Sequence, residues 1–155
     1  MNVKVIPFEW YHVEAMDLRQ QERDYFALVP NYRNHLKMQK QAGPCFTAIV
    51  EGEGIACSWG FVPIWPGLVE CWLITSTIVE KSFGYKRRVL SVGKHIIDEI
   101  EIGLQAHRLQ MTINPRFLYA IRYAKALNFT QESVLKAYGP DGSDYFMFAR
   151  ISEKK

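Results

Sequence analysis

The apolar run Val69-Glu70-Cys71-Trp72-Leu73-Ile74-Thr75-Ser76 is followed closely by Lys81-Ser82-Phe83-Gly84-Tyr85-Lys86, and the reading of these two stretches decides the fold. The first has the length and composition of a strand buried on both faces. After Gly84 the period changes. Val89, Val92, Ile96, Ile100 and Leu104 recur at helical spacing with Ile97 beside them, while Arg87, Arg88, Ser91, Lys94, Asp98 and Glu101 cover the opposite side. A strand therefore passes through a glycine turn into a long amphipathic helix with a basic beginning.

Upstream, residues 45–50 predict a strand, Glu51-Gly52-Glu53-Gly54 a tight turn, and residues 55–62 a second strand. Residues 63–67 break the chain before the run at Val69, which makes an antiparallel meander of three strands. Residues 3–8 alternate like a short strand. Residues 9–28 predict one or two short helices, and residues 30–44, with two prolines, Asn31, Asn34 and Gly43, a loop or a short broken helix. Downstream, residues 109–113 predict a strand, and Asn114-Pro115 an N-cap and first helical residue opening a helix through Leu127. Residues 134–138 and 145–151 flank Gly139-Pro140-Asp141-Gly142 as a closing hairpin. The order is an α+β plan: a mixed, mostly antiparallel sheet of six to seven strands with helices on both faces.

The chain has 155 residues, the size of one ordinary domain, so residues 1–155 are expected to form a single domain. Hydrophobic residues at 48% against 23% charged place it among globular chains. No apolar run approaches the roughly 20 residues of a membrane helix, and residues 1–10 carry no signal-peptide pattern, so a cytoplasmic location is the default. Cys45, Cys57 and Cys71 are odd in number and form no CxxC pair, which argues against a disulfide framework or a zinc site and for buried free thiols at Cys57 and Cys71. His12, His35, His95 and His107 lack metal-ligand spacing, and no metal is expected. The net charge of +3 is too small to imply nucleic acid by itself.

From about Cys45 onward the sequence resembles the GNAT acetyltransferase superfamily. Lys81-Ser82-Phe83-Gly84-Tyr85-Lys86 is similar to its coenzyme-binding motif Q/R-x-x-G-x-G/A, with a cation first and the central glycine present, but with Lys86 where the last small residue belongs. Residues 69–76 resemble the strand before that motif. Glu70 stands eleven residues before Lys81, where the histone-acetylating branch has a glutamate. Ala126-Leu127-Asn128-Phe129 is similar to the K-L-G-F helix exit; Asn128 replaces glycine and tolerates the left-handed conformation a C-cap needs. The segment Trp65 to Ser76 further resembles phage-encoded GNAT-like proteins, including internal virion proteins, which would imply a phage or prophage origin.

The resemblance implies acetyl-coenzyme A as co-substrate and an amine as acceptor. Its pyrophosphate would meet the bare amides at the helix start, with Gly84 allowing close approach and Lys81, Lys86 and Arg87, with Arg88, adding charge along Ser82, Phe83 and Tyr85. The same basic cluster has a second reading as a solvated helix start and a third, less favoured, as a nucleic-acid contact. The pantetheine arm would pair with the backbone of Leu73, Ile74 and Thr75. Glu70 would serve as general base, or else be a solvent-facing edge carboxylate. The family's acid tyrosine, five residues before Phe129, falls on Ala124; Tyr123 is adjacent and Tyr119 one turn earlier. Tyr123 is the candidate acid, or a plain aromatic. Asn114 would contact the coenzyme or simply cap its helix. The rival to an enzyme is a catalytically degenerate GNAT-like virion or host-interaction protein with a phage or host partner. The acceptor pocket is expected from residues 30–44 and the Trp65-Pro66-Gly67 loop, and an exposed aromatic hairpin could pair two copies as a homodimer.

Overall fold

A computed structural model describes residues 2–153. Its strands are β1 (Val3–Pro7), β2 (Cys45–Val50), β3 (Gly54–Trp65), β4 (Leu68–Thr75), β5 (Arg108–Ile113), β6 (Thr130–Leu135) and β7 (Tyr145–Ile151). Its helices are α1 (Tyr11–Glu14), α2 (Gln20–Leu28), α3 (Tyr32–Ala42), α4 (Phe83–Gly103) and α5 (Leu118–Ala126), with a 3-10 turn at Thr77–Glu80. All seven strands form one sheet in the order β1-β2-β3-β4-β5-β7-β6, antiparallel throughout except for the parallel pair β4-β5. This is the mixed, mostly antiparallel α+β plan that the sequence predicts.

Alternation along β4 divides the interior in two. Val69, Cys71 and Leu73 turn toward α4 and α5 and join Trp59, Phe61, Ile97 and Phe148 in the larger core. Trp72 and Ile74 turn the other way and pack on Phe8, Val13 and Leu36 beneath α1 and α3. Both faces of β4 are thus covered, which accounts for its near-continuous apolar sequence. Along α4, Val89, Gly93 and Ile97 are buried at four-residue intervals, the seam that seats the helix. Cys57 and Cys71 are buried free thiols.

Several boundaries differ from the sequence expectation. Residues 30–44, expected as a loop or a short broken helix, hold an unbroken eleven-residue helix, α3. β3 runs past Val62 through Pro63 to Trp65, and a register shift between Pro63 and Trp65 absorbs the missing proline N–H. Asn114 caps a turn: its Oδ1 accepts from the Arg116 amide and its carbonyl from Phe117, so α5 begins only at Leu118. The closing hairpin pairs Thr130–Leu135 rather than residues 134–138 with β7. Among the described residues no helix is long and apolar enough to cross a membrane.

Candidate active site at the splayed strands

The parallel strands β4 and β5 pair only at their beginnings: Leu68 with Arg108, Val69 with Leu109, Glu70 with Gln110. Past that point β4 continues to Thr75 and β5 to Ile113 without further pairing, so a V opens whose vertex is at Glu70 and Gln110. The β5-facing backbone edge of the outer half of β4 is left without a strand partner, as far as Thr75, whose carbonyl accepts from Arg19. A strand edge of this kind is a template for an extended ligand.

A cavity of about 260 Å³ lies on the α4-α5 side of this opening. Leu73 and Thr75 of β4, Lys86 and Leu90 of α4, and Tyr119, Arg122 and Tyr123 of α5 are among the residues that line it. Ile74, on the opposite pleat, faces α1 and α3 instead. Of the three strand residues expected along an extended arm, two therefore present side chains to the cavity.

Next to it is the start of α4. Ser82 is the N-cap, its hydroxyl accepting from the Tyr85 amide at 3.1 Å and its carbonyl from the Lys86 amide at 3.3 Å. The amides of Phe83 and Gly84 have no acceptor among the described residues, so two N–H groups remain at the positive end of a 21-residue helix. The cations around it divide. Lys81 extends to Glu53 in the β2-β3 turn, 3.0 Å away, and Tyr85 donates to the same carboxylate; this ion pair and hydrogen bonding hold Glu53 below the usual carboxylate range. Lys86 lines the cavity, and Arg87 sits over the exposed ring of Phe83. Lys86, not Lys81, is the motif cation nearest the cavity. The Tyr85 side chain is drawn to Glu53 rather than into that space.

At the vertex, Glu70 accepts a 2.8 Å hydrogen bond from Gln110 Nε2. Partial burial raises its pKa, opposed by the Gln110 hydrogen bond and by Arg108. It shares the pleat of Trp72, as the sequence suggests, but that pleat faces away from the α4-α5 cavity. The carboxylate stands at the junction of the strands, on the side covered by α1 to α3.

Tyr123 lies deeper. Its hydroxyl accepts from Trp59 Nε1 at 3.2 Å, and burial pushes the phenol pKa up, so it stays protonated. Ala124, where the family's tyrosine would fall, is fully buried. Asn114 follows directly on the end of β5, at the open side of the V.

The sequence reading passes over Arg19 and Glu22. The Arg19 guanidinium donates to the Thr75 carbonyl at 3.2 Å and hydroxyl at 2.7 Å, to Glu22 at 3.0 Å and to Glu80 at 2.8 Å, and lies 3.7 Å over the ring of Tyr119. Tyr119 in turn donates to Glu22, which is buried, and that burial raises its pKa. The start of α2 thus ties the end of β4 to α5 across the open mouth of the V. No local pattern announces this clasp, because its partners are up to 97 residues apart.

The Trp65-Pro66-Gly67 loop, expected at an acceptor pocket, lies at the paired end of β4, away from the opening. The left-handed Gly67 packs there against His107, whose Nδ1 would lie 2.1 Å from an added β-carbon.

A sheet with one parallel pair that splays beside a helix start is also what comparison with solved structures returns. The chain aligns over 99% of its length with 97% of a GNAT-family acetyltransferase from Bacillus anthracis, at a TM-score of 0.71 and 17% identity. The fold is that of the GNAT acetyltransferases. A ribosomal-protein-S5-alanine acetyltransferase from Vibrio fischeri matches at a TM-score of 0.70 and 14% identity, covering 99% of this chain and 95% of its own. A GNAT-superfamily phosphinothricin acetyltransferase from Sinorhizobium meliloti, solved with acetyl-CoA, matches at 0.62 and 13%, covering 97% and 89%. Neither a family model nor a curated protein sequence matches this chain. At these identities the GNAT likeness is one of fold.

Proposed function

We propose that residues 1–155 act as one acyl-CoA-binding domain that transfers an acetyl group from acetyl-CoA to an amine by direct attack. The observation that carries the reading is the V between β4 and β5, which closes on a carboxylate at Glu70 and opens beside unpaired amides at Phe83 and Gly84. The pyrophosphate would be held by those amides and the Lys86 ammonium, with Ser82, Tyr85 and Arg87 shaping the turn and Lys81 bracing it through Glu53. The acyl arm would lie along the open backbone edge of Leu73 and Ile74 as far as Thr75, whose carbonyl is taken by Arg19, with Asn114 across the gap.

On this reading donor and acceptor approach from opposite faces of the sheet and meet at the vertex. The amine arrives on the α1-α3 side, where Glu70 takes, directly or through a water, the proton shed as nitrogen bonds to the acetyl carbon. A backbone N–H on the free edge of β4 stabilises the oxyanion. When the carbon-sulfur bond breaks, Tyr123, kept protonated by burial, is the donor to the thiolate, a good leaving group that makes this assistance dispensable.

The test is release of free coenzyme A thiol from acetyl-CoA in the presence of protein, peptide and small-molecule amines. Amine-dependent thiol release supports the transferase. The rival reading, a GNAT-like phage virion or host-interaction protein, requires neither thiol release nor a rise in melting temperature with acetyl-CoA. A well-folded sample showing neither would establish that rival over the enzyme.

A further inference from the structure

Four polar side chains cross the sheet on the pleat that carries Glu70. Glu132 of β6 receives a bidentate pair of 2.8 Å bonds from the Arg108 guanidinium of β5; Arg108 Nε donates to Gln110 Oε1 at 2.7 Å; and Gln110 Nε2 donates to Glu70 Oε2 at 2.8 Å. From the geometry we infer that Glu132, Arg108 and Gln110 are positioning residues that aim Glu70, holding one carboxylate oxygen and leaving the other for the acceptor's proton. This rests on the reading of Glu70 as general base.

The direction of the chain follows from which groups can only donate. A guanidinium has no acceptor, so the Gln110 amide must turn its oxygen toward Arg108. That forces its NH₂ toward Glu70, and Oε2 must accept. Glu70 Oε1 has no hydrogen-bond partner among the described residues, so it is the oxygen left to receive a proton. Arg108 is itself held by both oxygens of Glu132, a fork-to-fork pairing that fixes its plane.

The sheet makes room for this arrangement. β7 lies between β5 and β6, and Gln110 and Thr130 both pair with Ala149. Alternation puts Phe148 and Arg150 on the α4 side, where Arg150 binds Asp98 of α4, and Ala149 on the Glu70 side. On that face β7 presents the small Ala149 between Met147 and Ile151, the latter the direct β7 partner of Arg108. A register shift between Gln131 and Ser133 sets Glu132 in the irregular part of β6.

The charged and titratable groups around Glu70 are few. Its β3 partner is Val62; β5 supplies Arg108 and the neutral Gln110; Glu132 is reached only through Arg108; and Cys71, next in sequence, lies on the other pleat with burial holding its thiol protonated. Removing the Gln110 donor therefore withdraws a bond to the ionised carboxylate and moves Glu70 toward its protonated form.

The test uses the intact chain labelled with carbon-13 at glutamate carboxyls, with Glu70 assigned by the loss of its signal in Glu70→Gln. Gln110→Leu should move the Glu70 titration midpoint upward and carry the acidic limb of kcat/KM with it, about tenfold less activity on that limb per unit moved. Gln110→Met, similar in length but without the amide donor, should move both in the same direction, and serves if Gln110→Leu does not fold. An unchanged midpoint in a folded variant overturns the positioning chain. A midpoint that moves while the activity limb stays fixed upholds the chain and removes Glu70 from the role of base.

Discussion

A β-carbon added to Gly93 on α4 would lie 2.0 Å from the hydroxyl of Tyr123 on α5. The phenol is already held by Trp59 on β3, so the two helices and the sheet meet at a point with no slack. Gly93 costs the helix about 1 kcal/mol in propensity relative to alanine, yet overpacking a filled site costs about 1–3 kcal/mol. Gly93→Ala is therefore expected to lower stability by up to about 2 kcal/mol in denaturant unfolding. Tyr123→Phe by itself gives up the Trp59 hydrogen bond, so the collision is read from the cycle: Gly93→Ala should cost less in a Tyr123→Phe background than in the parent, because the colliding oxygen is gone. A Gly93→Ala protein at least as stable as the parent would show that the tyrosine can move aside.

Glu70→Gln tests the base. Loss of a positioned general base lowers rate by about 10²–10⁴-fold. Burial puts the Glu70 pKa above the ordinary glutamate range, and the carboxylate is the active form. Activity should therefore fall as pH drops through that raised value, and the variant should lose that limb. A pH-rate profile with the same limb in both proteins would assign it elsewhere.

Arg19→Ala removes the cation that faces Glu22. A buried charge left without its partner costs about 3–5 kcal/mol, unless it takes up a proton. Glu22 already has a raised folded pKa, so it binds more protons folded than unfolded, and its contribution to stability is lost as pH rises through the folded value. The destabilisation by Arg19→Ala should accordingly be larger at pH 8 than at pH 5, read from urea midpoints at both. Equal losses would mean that Glu22 finds another partner.

Asn128 has φ of 69° at the exit of α5, where its neighbours Leu127 and Phe129 are buried. Asn128→Ala should destabilise by about 1 kcal/mol because a β-carbon without a compensating polar group is disfavoured there, while Asn128→Gly should be neutral or better. Thermal unfolding of the two variants checks the order.

Asn128 also shows what could be read in advance. A polar residue that tolerates the left-handed region, set between two buried apolar residues, marks the end of a helix without reference to anything distant. The long stripe of α4 and the apolar run of β4 were legible for the same reason: each period is written in consecutive residues. α3 was hidden because only Leu36 of its eleven residues is buried and prolines flank it, so its sequence resembles a loop. In the candidate site the helix start at Ser82 to Lys86 was legible because it follows the chain, and the contacts that depend on crossings were not. That Lys81 would leave for Glu53, that Arg19 would bind Thr75, and that Gln110 would meet Glu70 are consequences of strand order and helix placement, 28, 56 and 40 residues apart.

The central claim is that the start of α4 receives the phosphates of an acyl-CoA, and calorimetric titration of acetyl-CoA into the parent chain and Gly84→Glu tests it most directly. The account predicts saturable one-to-one binding to the parent, weakened at higher salt as expected for an anion held by amides and Lys86, and none to a Gly84→Glu protein whose unfolding midpoint is unchanged. Equal affinity in the two proteins, or no heat from a folded parent at millimolar acetyl-CoA, would contradict it.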